Sequence, residues 1–254
     1  MALLETNALS ITFGGLHAVA NFDLSVAQGS LCGLIGPNGA GKTTVFNMIS
    51  GLLTPTSGKI IFADEDITRL PAYEVTRRGM ARTFQNIRLF GNLTALQNVQ
   101  IAHQCHVKYG YAKALTHIGI EDEEADIIRS SMALLASVNL TERADHIAHN
   151  LPYGEQRRLE IARALATRPK LLLLDEPAAG MNPNETGDLM RFISEIREQY
   201  NLTILLIEHD MSLVMGICEK ITVLDYGMTI AEGAPAEIRA NPKVIEAYLG
   251  EEAV

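Results

Sequence analysis

The chain lacks any paired cysteine motif and any apolar run that could cross a membrane. Its 254 residues include three cysteines, Cys32, Cys105 and Cys218, which are far apart and odd in number. This excludes a disulfide framework or a cysteine-rich metal site and predicts reduced, mostly buried thiols. A spanning helix needs about 20 apolar residues, and the start MALLETNALSITF has no basic segment before an apolar one. We therefore expect a soluble polypeptide that stays on the side of the membrane where it is made.

Positive charge is also scarce. The formal net charge is -9 at pH 7, whereas non-specific nucleic-acid binding depends on basic side chains that neutralise many phosphates. The composition argues against a nucleic-acid partner and predicts an acidic surface. His103 and His106 have a helical spacing that could hold a metal ion, but no third ligand is in view. We interpret both as surface residues.

Hydrophobic patterning predicts an α/β fold. Apolar and polar residues alternate along residues 21–26, as in a half-buried antiparallel strand, and Ile60 and Phe62 look similar. Residues 31–35, 171–174, 203–207 and 221–224 are continuous apolar runs, which suit strands of a parallel sheet covered on both faces. Helical periodicity follows two of these runs, at Val45, Met48, Ile49 and Leu52 and at Leu189, Phe192, Ile193 and Ile196. Such alternation is typical of an α/β protein.

The middle of the chain shows only helical patterns. One begins at the acidic residues 121–124, which are favourable at a helix N-terminus, and places Ile127, Ile128, Met132 and Leu135 on one side. We predict a single domain, 1–254, whose α/β core (1–91 and 157–254) is interrupted by a helical subdomain at 92–156.

A last helix is predicted near the end of the chain. Asn241 is a suitable N-cap and Pro242 a suitable first residue. The predicted apolar side of this helix consists of Val244, Ile245, Tyr248 and Leu249.

A glycine-rich loop follows the first apolar run. Residues 36–43, GPNGAGKT, match G-x-x-x-x-G-K-[ST] at every fixed position and stand between a predicted strand and a predicted amphipathic helix. Glycines let the backbone N–H groups converge on a phosphate, Lys42 adds a positive charge for the β- and γ-phosphates, and the Thr43 hydroxyl suits Mg²⁺. The predicted ATP-binding residues of this segment are Gly36, Pro37, Asn38, Gly39, Ala40, Gly41, Lys42, Thr43 and Thr44.

Two carboxylates follow the apolar run 171–174. At the end of such a strand, Asp175 can hold Mg²⁺ through water. Glu176 would then lie beside the γ-phosphate, where a general base for the attacking water is needed. A lone Asp-Glu pair after a strand is usually a polar loop, and the phosphate loop favours the functional interpretation.

With these motifs in this order, nearly the whole chain resembles an ATP-binding cassette (ABC) ATPase. The resemblance implies a P-loop fold with a mainly parallel core sheet, an N-terminal antiparallel β-subdomain and an inserted α-helical subdomain. It implies that Phe13 stacks on adenine, although an alternating strand residue could instead belong to the core. It also implies that Gln85 contacts Mg²⁺ or the lytic water, and that His209 senses the γ-phosphate.

The segment LPYGEQ at 151–156 resembles the signature motif of the family. The resemblance implies that Gly154, with Glu155 beside it, contacts the ATP held by a second ABC ATPase subunit. Pro152 and Tyr153 replace the usual Ser and Gly, so the usual hydroxyl is missing. Asn182 replaces the usual Asp of the D-loop, and together with Pro183 and Glu185 it also reads as the start of a helix.

The stretches LxYGxQRRLEIAR, DEPAAGxNPxET, IEHDMxLVMGI and VIEAYLGE look like the LivG-type ATPases of branched-chain amino acid uptake. That likeness implies a peripheral position on the cytoplasmic face of the plasma membrane. It also implies permease subunits that bind near Gln85 and residues 86–92, and indirectly a substrate-binding protein. LivG-type systems pair two different ATPases, so a homodimer and a heterodimer both remain open.

Three alternatives remain. Sister systems serve amides, urea or lipopolysaccharide export. Soluble ABC ATPases of translation or DNA repair usually have two fused cassettes or long coiled coils, and this chain shows neither. A regulatory module without turnover would lack the catalytic carboxylate, whereas Glu176 is present.

Overall fold

The structure, a computed structural model, describes residues 1–106 and 120–252. The chain forms two compact units: unit 1 consists of Met1–Gln85 and Lys170–Val254, and unit 2 of Asn86–Pro169. Unit 2 includes residues 86–91 and 157–169, so it is longer at both ends than the helical segment predicted from the sequence.

Unit 1 contains two sheets. Their strands are β1 Ala2–Phe13, β2 Leu16–Ala27, β3 Leu31–Ile35, β4 Ser57–Phe62, β5 Glu65–Asp66, β6 Met80–Arg82, β7 Leu171–Asp175, β8 Thr203–Ile207, β9 Lys220–Asp225 and β10 Met228–Gly233. The first sheet is antiparallel, in the order β2-β1-β4-β5. The second has the order β10-β9-β3-β8-β7-β6, with β9 and β10 antiparallel and the other pairs parallel. The predicted α/β fold, with a mainly parallel core sheet and an N-terminal antiparallel sheet, is confirmed.

Helices of unit 1 flank these strands. They are α1 Lys42–Ile49, α2 Ala72–Arg77, α6 Pro183–Tyr200, α7 Met211–Ile217, α8 Pro235–Arg239 and α9 Pro242–Glu252; unit 2 contains α3 Ala95–His103, α4 Ile120–Ser137 and α5 Tyr153–Leu165. Phe22, Phe46 and Leu173 belong to one buried cluster, so both sheets and α1 share a hydrophobic core. Every residue of β3, β7 and β8 is buried, which explains why these strands read as continuous apolar runs.

The topology places three loops at one edge of the parallel sheet. The strands β3, β8 and β7 are adjacent and parallel. Parallel strands end at the same edge, so the segments that follow Ile35, Asp175 and Ile207 all leave from that edge. These are the segments that carry the predicted motifs.

Local capping determines where α3, the first helix of unit 2, begins. The Thr94 hydroxyl accepts a hydrogen bond from the Gln97 backbone N–H, and the Gln97 side chain accepts one from the Thr94 N–H. This capping box starts α3. Short 3-10 turns at Gln104–His106, Thr141–Arg143 and Ala148–Asn150 complete the secondary structure described for unit 2, together with an isolated bridge between Thr94 and Ile147.

Several predictions based on periodicity are wrong. Leu52, which is 49% exposed, lies beyond the end of α1, where Gly51 has a positive φ of 73°. Ile128 and Ile245 are also exposed. In α4 the buried residues are Ser131, Leu134 and Leu135, while Ile127 and Met132 are half-buried. The covered face therefore matches the predicted one only in part. Periodicity finds an apolar side, but only the packed neighbours decide where its edge lies.

His103 is buried rather than on the surface. It is the last residue of α3, on the side that packs within unit 2. The side chains of His106 and Leu249 lie outside the described residues.

The cysteine prediction agrees better with the structure: all three cysteines are free, Cys32 and Cys218 are buried, and Cys105 is half-buried. Burial raises the pKa of Cys218 to about 12, so this thiol stays protonated at neutral pH.

The start of α6 yields a stability prediction. The Asn182 side chain accepts hydrogen bonds from the backbone N–H groups of Asn184 and Glu185, and the Glu185 carboxylate accepts one from the Asn182 N–H at 2.8 Å. We expect Asn182→Ala to lower the free energy of unfolding by about 1 kcal/mol, because the orphan N–H groups of the first turn lose their acceptor. Urea denaturation measures this change. Asn184→Ala is the control, since it changes an exposed amide in the same turn; equal losses in both variants would contradict the capping role.

Candidate active site

The phosphate-loop residues connect β3 to α1 and require glycine for steric reasons. Gly36 has a φ of 152°, and a Cβ there would lie 1.9 Å from the Leu224 carbonyl oxygen. Gly41 has a φ of 103°, and its Cβ would lie 2.8 Å from the Ala18 carbonyl oxygen. At both positions the backbone of another segment, at Leu224 or Ala18, therefore lies in the space that a side chain would need. The loop can curl this tightly only without side chains there.

Lys42 is the first residue of α1, and its ammonium group turns back into the loop. Nζ donates hydrogen bonds to the carbonyl oxygens of Gly36 at 2.6 Å and Pro37 at 2.7 Å. The side chain is buried. A buried ammonium enclosed by the loop is suited to an anion, because an anion can offer it stronger acceptors than neutral carbonyl groups. The cradle therefore fits a phosphate.

Asp175, at the end of β7, forms an ion pair that the sequence did not predict. Arg82 Nη2 lies 2.7 Å from Asp175 Oδ2, and both side chains are almost fully buried. Arg82 Nη1 also donates to Asn47 Oδ1 and Ser50 Oγ, which ties β6 to α1 and the residue that follows it. The arginine stands in the segment ARTFQ, and its pairing across the sheet with β7 is a tertiary feature that the segment alone does not reveal.

The Glu176 side chain lies close to two other predicted site residues, Gln85 and His209. Gln85 Nε2 donates a hydrogen bond of 2.7 Å to Glu176 Oε2, and His209 Nδ1 lies 3.7 Å from the same oxygen. The backbone of Glu176 has a positive φ of 45°, and its N–H donates to the Ile207 carbonyl oxygen. A non-glycine residue in this conformation stores strain of about 1–3 kcal/mol, which is common where a side chain must be aimed at a reaction centre. The structure thus brings Gln85, Glu176 and His209 together.

Glu208 is a site-adjacent residue that sequence reasoning missed. Its side chain is fully buried, Oε1 accepts a 2.8 Å hydrogen bond from the Ala178 N–H, and Oε2 accepts one from the His209 N–H at 3.2 Å. Burial raises the pKa of the Glu208 carboxyl above its ordinary value, while hydrogen bonds from backbone N–H groups act in the opposite direction. An acidic residue before a histidine gives no signal of burial in the sequence.

The other predicted residues of unit 1 are distributed around this edge or on the surface. Phe13 is 47% exposed beside the turn between β1 and β2, which rules out the core alternative for this ring. Thr43 and Asn38 are exposed and Thr44 is half-buried. An open cleft borders the outer side of the phosphate loop and is lined by Asn38, Tyr226 and α9 residues including Lys243.

The signature segment lies in unit 2, where Gly154 is exposed in the first turn of α5. A Cβ on Gly154 would have no heavy atom within 4 Å. Glu155 Oε2 lies 3.2 Å from Arg143 Nε. Tyr153, at one of the two positions that depart from the family pattern, uses its hydroxyl to accept a hydrogen bond from Arg157 Nη2. The Tyr153 side chain is therefore held by its own helix.

The described residues contain no group of three or more His, Cys, Asp or Glu side chains arranged for a metal ion. In the same described ranges, no helix combines the length and apolar character needed to cross a membrane. The oxygen donors of Thr43, Gln85 and Asp175 are of the type that Mg²⁺ prefers together with substrate phosphates and water. The residues present therefore fit this ion chemically.

The site combines a phosphate loop, which lies between a buried parallel strand and a helix, with an Asp-Glu pair at the end of another strand of the same sheet. These features define a P-loop ATPase. Residues 19–179 match the sequence profile of the family described as ABC transporter, and residues 228–254 match one described as branched-chain amino acid ATP-binding cassette transporter. The chain belongs to the ABC transporter family. As a member, it is a nucleotide-binding ATPase whose hydrolysis of ATP is coupled to transport.

Three similar proteins illustrate this membership. BraF, the high-affinity branched-chain amino acid transport ATP-binding protein of Pseudomonas aeruginosa, is 47% identical over 98% of both chains. LivG of Escherichia coli strain K12, which carries the same description, is 46% identical over 98% of both chains. A crystal structure of an ATP-binding cassette of an ABC transporter in its ADP conformation superposes with a TM-score of 0.86 at 31% identity, covering 98% of this chain and 99% of the other.

Proposed function

We propose that the chain is the ATP-hydrolysing subunit of an ABC importer for branched-chain amino acids. The observation that carries this proposal is the match of its tail, residues 228–254, to a profile described for branched-chain amino acid transporters. Full-length similarity to BraF and LivG supports it. The transported amino acid would be recognised by other subunits, so this chain contributes the energy source and not the solute specificity.

In this proposal the loop 36–44 binds the ATP phosphates. Backbone N–H groups of the loop and the Lys42 ammonium bind the β- and γ-phosphates, and Phe13 stacks on the adenine. Thr43, Gln85 and Asp175 hold Mg²⁺, which neutralises phosphate charge when bound. Because Arg82 donates a hydrogen bond to Asp175 Oδ2, an indirect contact of Asp175 through water suits the site better than full coordination.

Hydrolysis is assigned to the cluster around Glu176. Glu176 accepts a proton from a water molecule while the oxygen of that water attacks the γ-phosphorus. The bond between the γ-phosphorus and the β-γ bridging oxygen breaks, and ADP and phosphate leave. Gln85 orients the water or the ion, and His209 contacts the γ-phosphate. The hydrogen bond from Gln85 to Glu176 and the short distance to His209 support a shared role.

Two such ATPase subunits are proposed to close head-to-tail over two ATP molecules. Gly154 and Glu155 of one subunit then face the γ-phosphate bound by the other subunit, and hydrolysis releases that bridge. The exposure of Gly154 supports this role, since its backbone is open to a partner. In the same proposal, permease subunits bind near residues 85–92 and the chain lies on the cytoplasmic face of the plasma membrane.

Uptake measurements test the substrate. Deletion of the gene is expected to abolish high-affinity uptake of leucine, isoleucine and valine, because the importer loses its energy source. Complementation with the wild-type chain is expected to restore uptake, whereas Glu176→Gln, made at similar abundance, is expected not to restore it. Normal uptake of all three amino acids with loss of amide or urea uptake would assign the chain to a sister system, and a lipopolysaccharide export defect would assign it to that pathway.

A further inference from the structure

Glu208 is a buried carboxylate next to the cluster of Gln85, Glu176 and His209, and it has no role in the proposed reaction. Glu208 directly follows β8, whose residues are all buried, and its own side chain is fully buried. Burying a carboxylate is costly unless its oxygens are hydrogen-bonded. Both oxygens of Glu208 accept backbone N–H groups, which matches the acceptor-only character of an ionised carboxylate.

The two bonds reach different loops. Oε1 accepts the N–H of Ala178, two residues after Glu176, in the loop that follows β7. Oε2 accepts the N–H of His209, in the loop that follows β8. The Glu208 side chain therefore connects the segment that carries Glu176 to the segment that carries His209. A backbone bond from Glu176 N–H to Ile207 O connects the same two segments.

The position of the histidine ring follows from these contacts. His209 Nδ1 lies 3.7 Å from Glu176 Oε2 and 3.8 Å from Glu208 Oε2. The Nδ1 atom thus lies at a similar distance from both carboxylates. Glu176 has a strained backbone, which persists only where the surroundings hold it in place. The bond from Ala178 to Glu208 is one such restraint.

Simple helix capping does not account for Glu208. The first turn of α7 is capped by Asp210, whose side chain accepts from the N–H groups of Ser212 and Leu213. Glu208 therefore is not needed to start that helix. Its bonds instead act between loops at the edge of the sheet where the predicted chemistry occurs.

We propose that Glu208 is a positioning residue that fixes the loops after β7 and β8 relative to each other. The side chains of Glu176 and His209 thereby keep the relative positions that hydrolysis requires. This inference rests on the proposed hydrolytic role of the site. A shift of the order of 1 Å in a reacting group can slow a reaction strongly. Loss of the Glu208 hydrogen bonds should leave nucleotide binding almost unaffected, because neither the phosphate loop nor Lys42 takes part in them.

The test uses Glu208→Gln and Glu208→Ala in the full-length chain purified with its transporter. Glutamine keeps the volume but offers one acceptor oxygen, so one backbone N–H faces an amide NH₂; alanine removes both acceptors. The matched control is Glu237→Gln, because Glu237 Oε2 also accepts a backbone N–H, that of Ala234, at the start of α8. The measurements are kcat, KM for ATP, affinity for a fluorescent ATP analogue, thermal stability, and hydrogen exchange at Ala178 and His209.

We expect kcat per folded molecule to fall about tenfold in Glu208→Gln and further in Glu208→Ala, with KM and nucleotide affinity within about twofold of the wild type. Exchange at the Ala178 and His209 amides should accelerate in the same order, and Glu237→Gln should leave kcat unchanged. A purely structural role would lower thermal stability while kcat per folded molecule stayed at the wild-type value in both variants; that result overturns the proposal. An equal loss of nucleotide affinity and kcat also overturns it.

The outcome separates this inference from the proposed function. If the wild-type chain turned over ATP and Glu176→Gln did not, an unchanged kcat in the Glu208 variants would reject only the positioning role. If wild-type and Glu176→Gln chains behaved alike, the hydrolytic assignment itself would be rejected, and the positioning role with it.

Discussion

Glu176→Gln is expected to retain ATP binding and to lower turnover by about a hundredfold or more, because the base that accepts the proton of the attacking water is lost. The substitution keeps the volume of the side chain. Its amide oxygen can still accept the hydrogen bond that Gln85 Nε2 donates in the wild type at 2.7 Å. The geometry of the cluster should therefore survive, and the variant should accumulate an ATP-bound dimer.

Gel filtration with and without ATP measures this accumulation, and phosphate release measures turnover. Glu195→Gln, which makes the same change on the exposed side of α6, is the control and should behave as the wild type. A Glu176→Gln chain that hydrolyses ATP at a near-normal rate would remove Glu176 from the role of general base.

Lys42→Ala and Gly154→Asp are each expected to abolish ATPase activity, yet a mixture of the two is expected to recover part of it. Lys42→Ala removes the charge that binds phosphate in its own subunit. Gly154→Asp places a carboxylate against the γ-phosphate bound by the partner, a like-charge clash. The aspartate should not disturb its own fold, because a Cβ on Gly154 meets no heavy atom within 4 Å.

In a mixed dimer one composite site carries both lesions and the other carries neither. If equal amounts of the two chains pair at random, about a quarter of all ATP sites are intact, because half of the dimers are mixed and each of these has one intact site of two. Gly187→Asp, also at a helical glycine whose Cβ would meet nothing within 4 Å, is the control and should remain active.

Mixed dimers are isolated with two different affinity tags before activity is measured, since a heteromeric working pair would make self-association weak. If such dimers form and remain inactive while a dimer of wild-type and Lys42→Ala chains turns over ATP, Gly154 does not act across the interface.

The agreement between sequence and structure is best where a feature depends on neighbours in the chain. The run at 31–35 is β3, and the predicted N-caps Asn182 and Asn241 accept N–H groups of the following residues. The glycine loop can also be recognised locally, from its residue types and their spacing. Recognising such features needs no knowledge of what packs against them, although the contacts of Gly36 with Leu224 and of Gly41 with Ala18 are tertiary.

Agreement is poorer where a distant element decides burial. Ile128 fits the apolar periodicity of α4 but is 45% exposed, and His103 was expected on the surface but is buried. Both residues lie on helices of unit 2, where the width of the covered face depends on the neighbouring helices. A periodic pattern contains no information about that width.

By itself, the sequence determined the α/β fold, the phosphate loop, the Asp-Glu pair and membership of the ABC family, because these depend on residue type and spacing along the chain. Only the tertiary structure decided that Arg82 pairs with Asp175 and that Glu208 connects the loops of Glu176 and His209. Arg82 and Asp175 are separated by 93 residues, and Ala178 and Glu208 by 30. Contacts over such separations arise from the order of strands in the sheet, which places their ends side by side whatever their distance in the sequence.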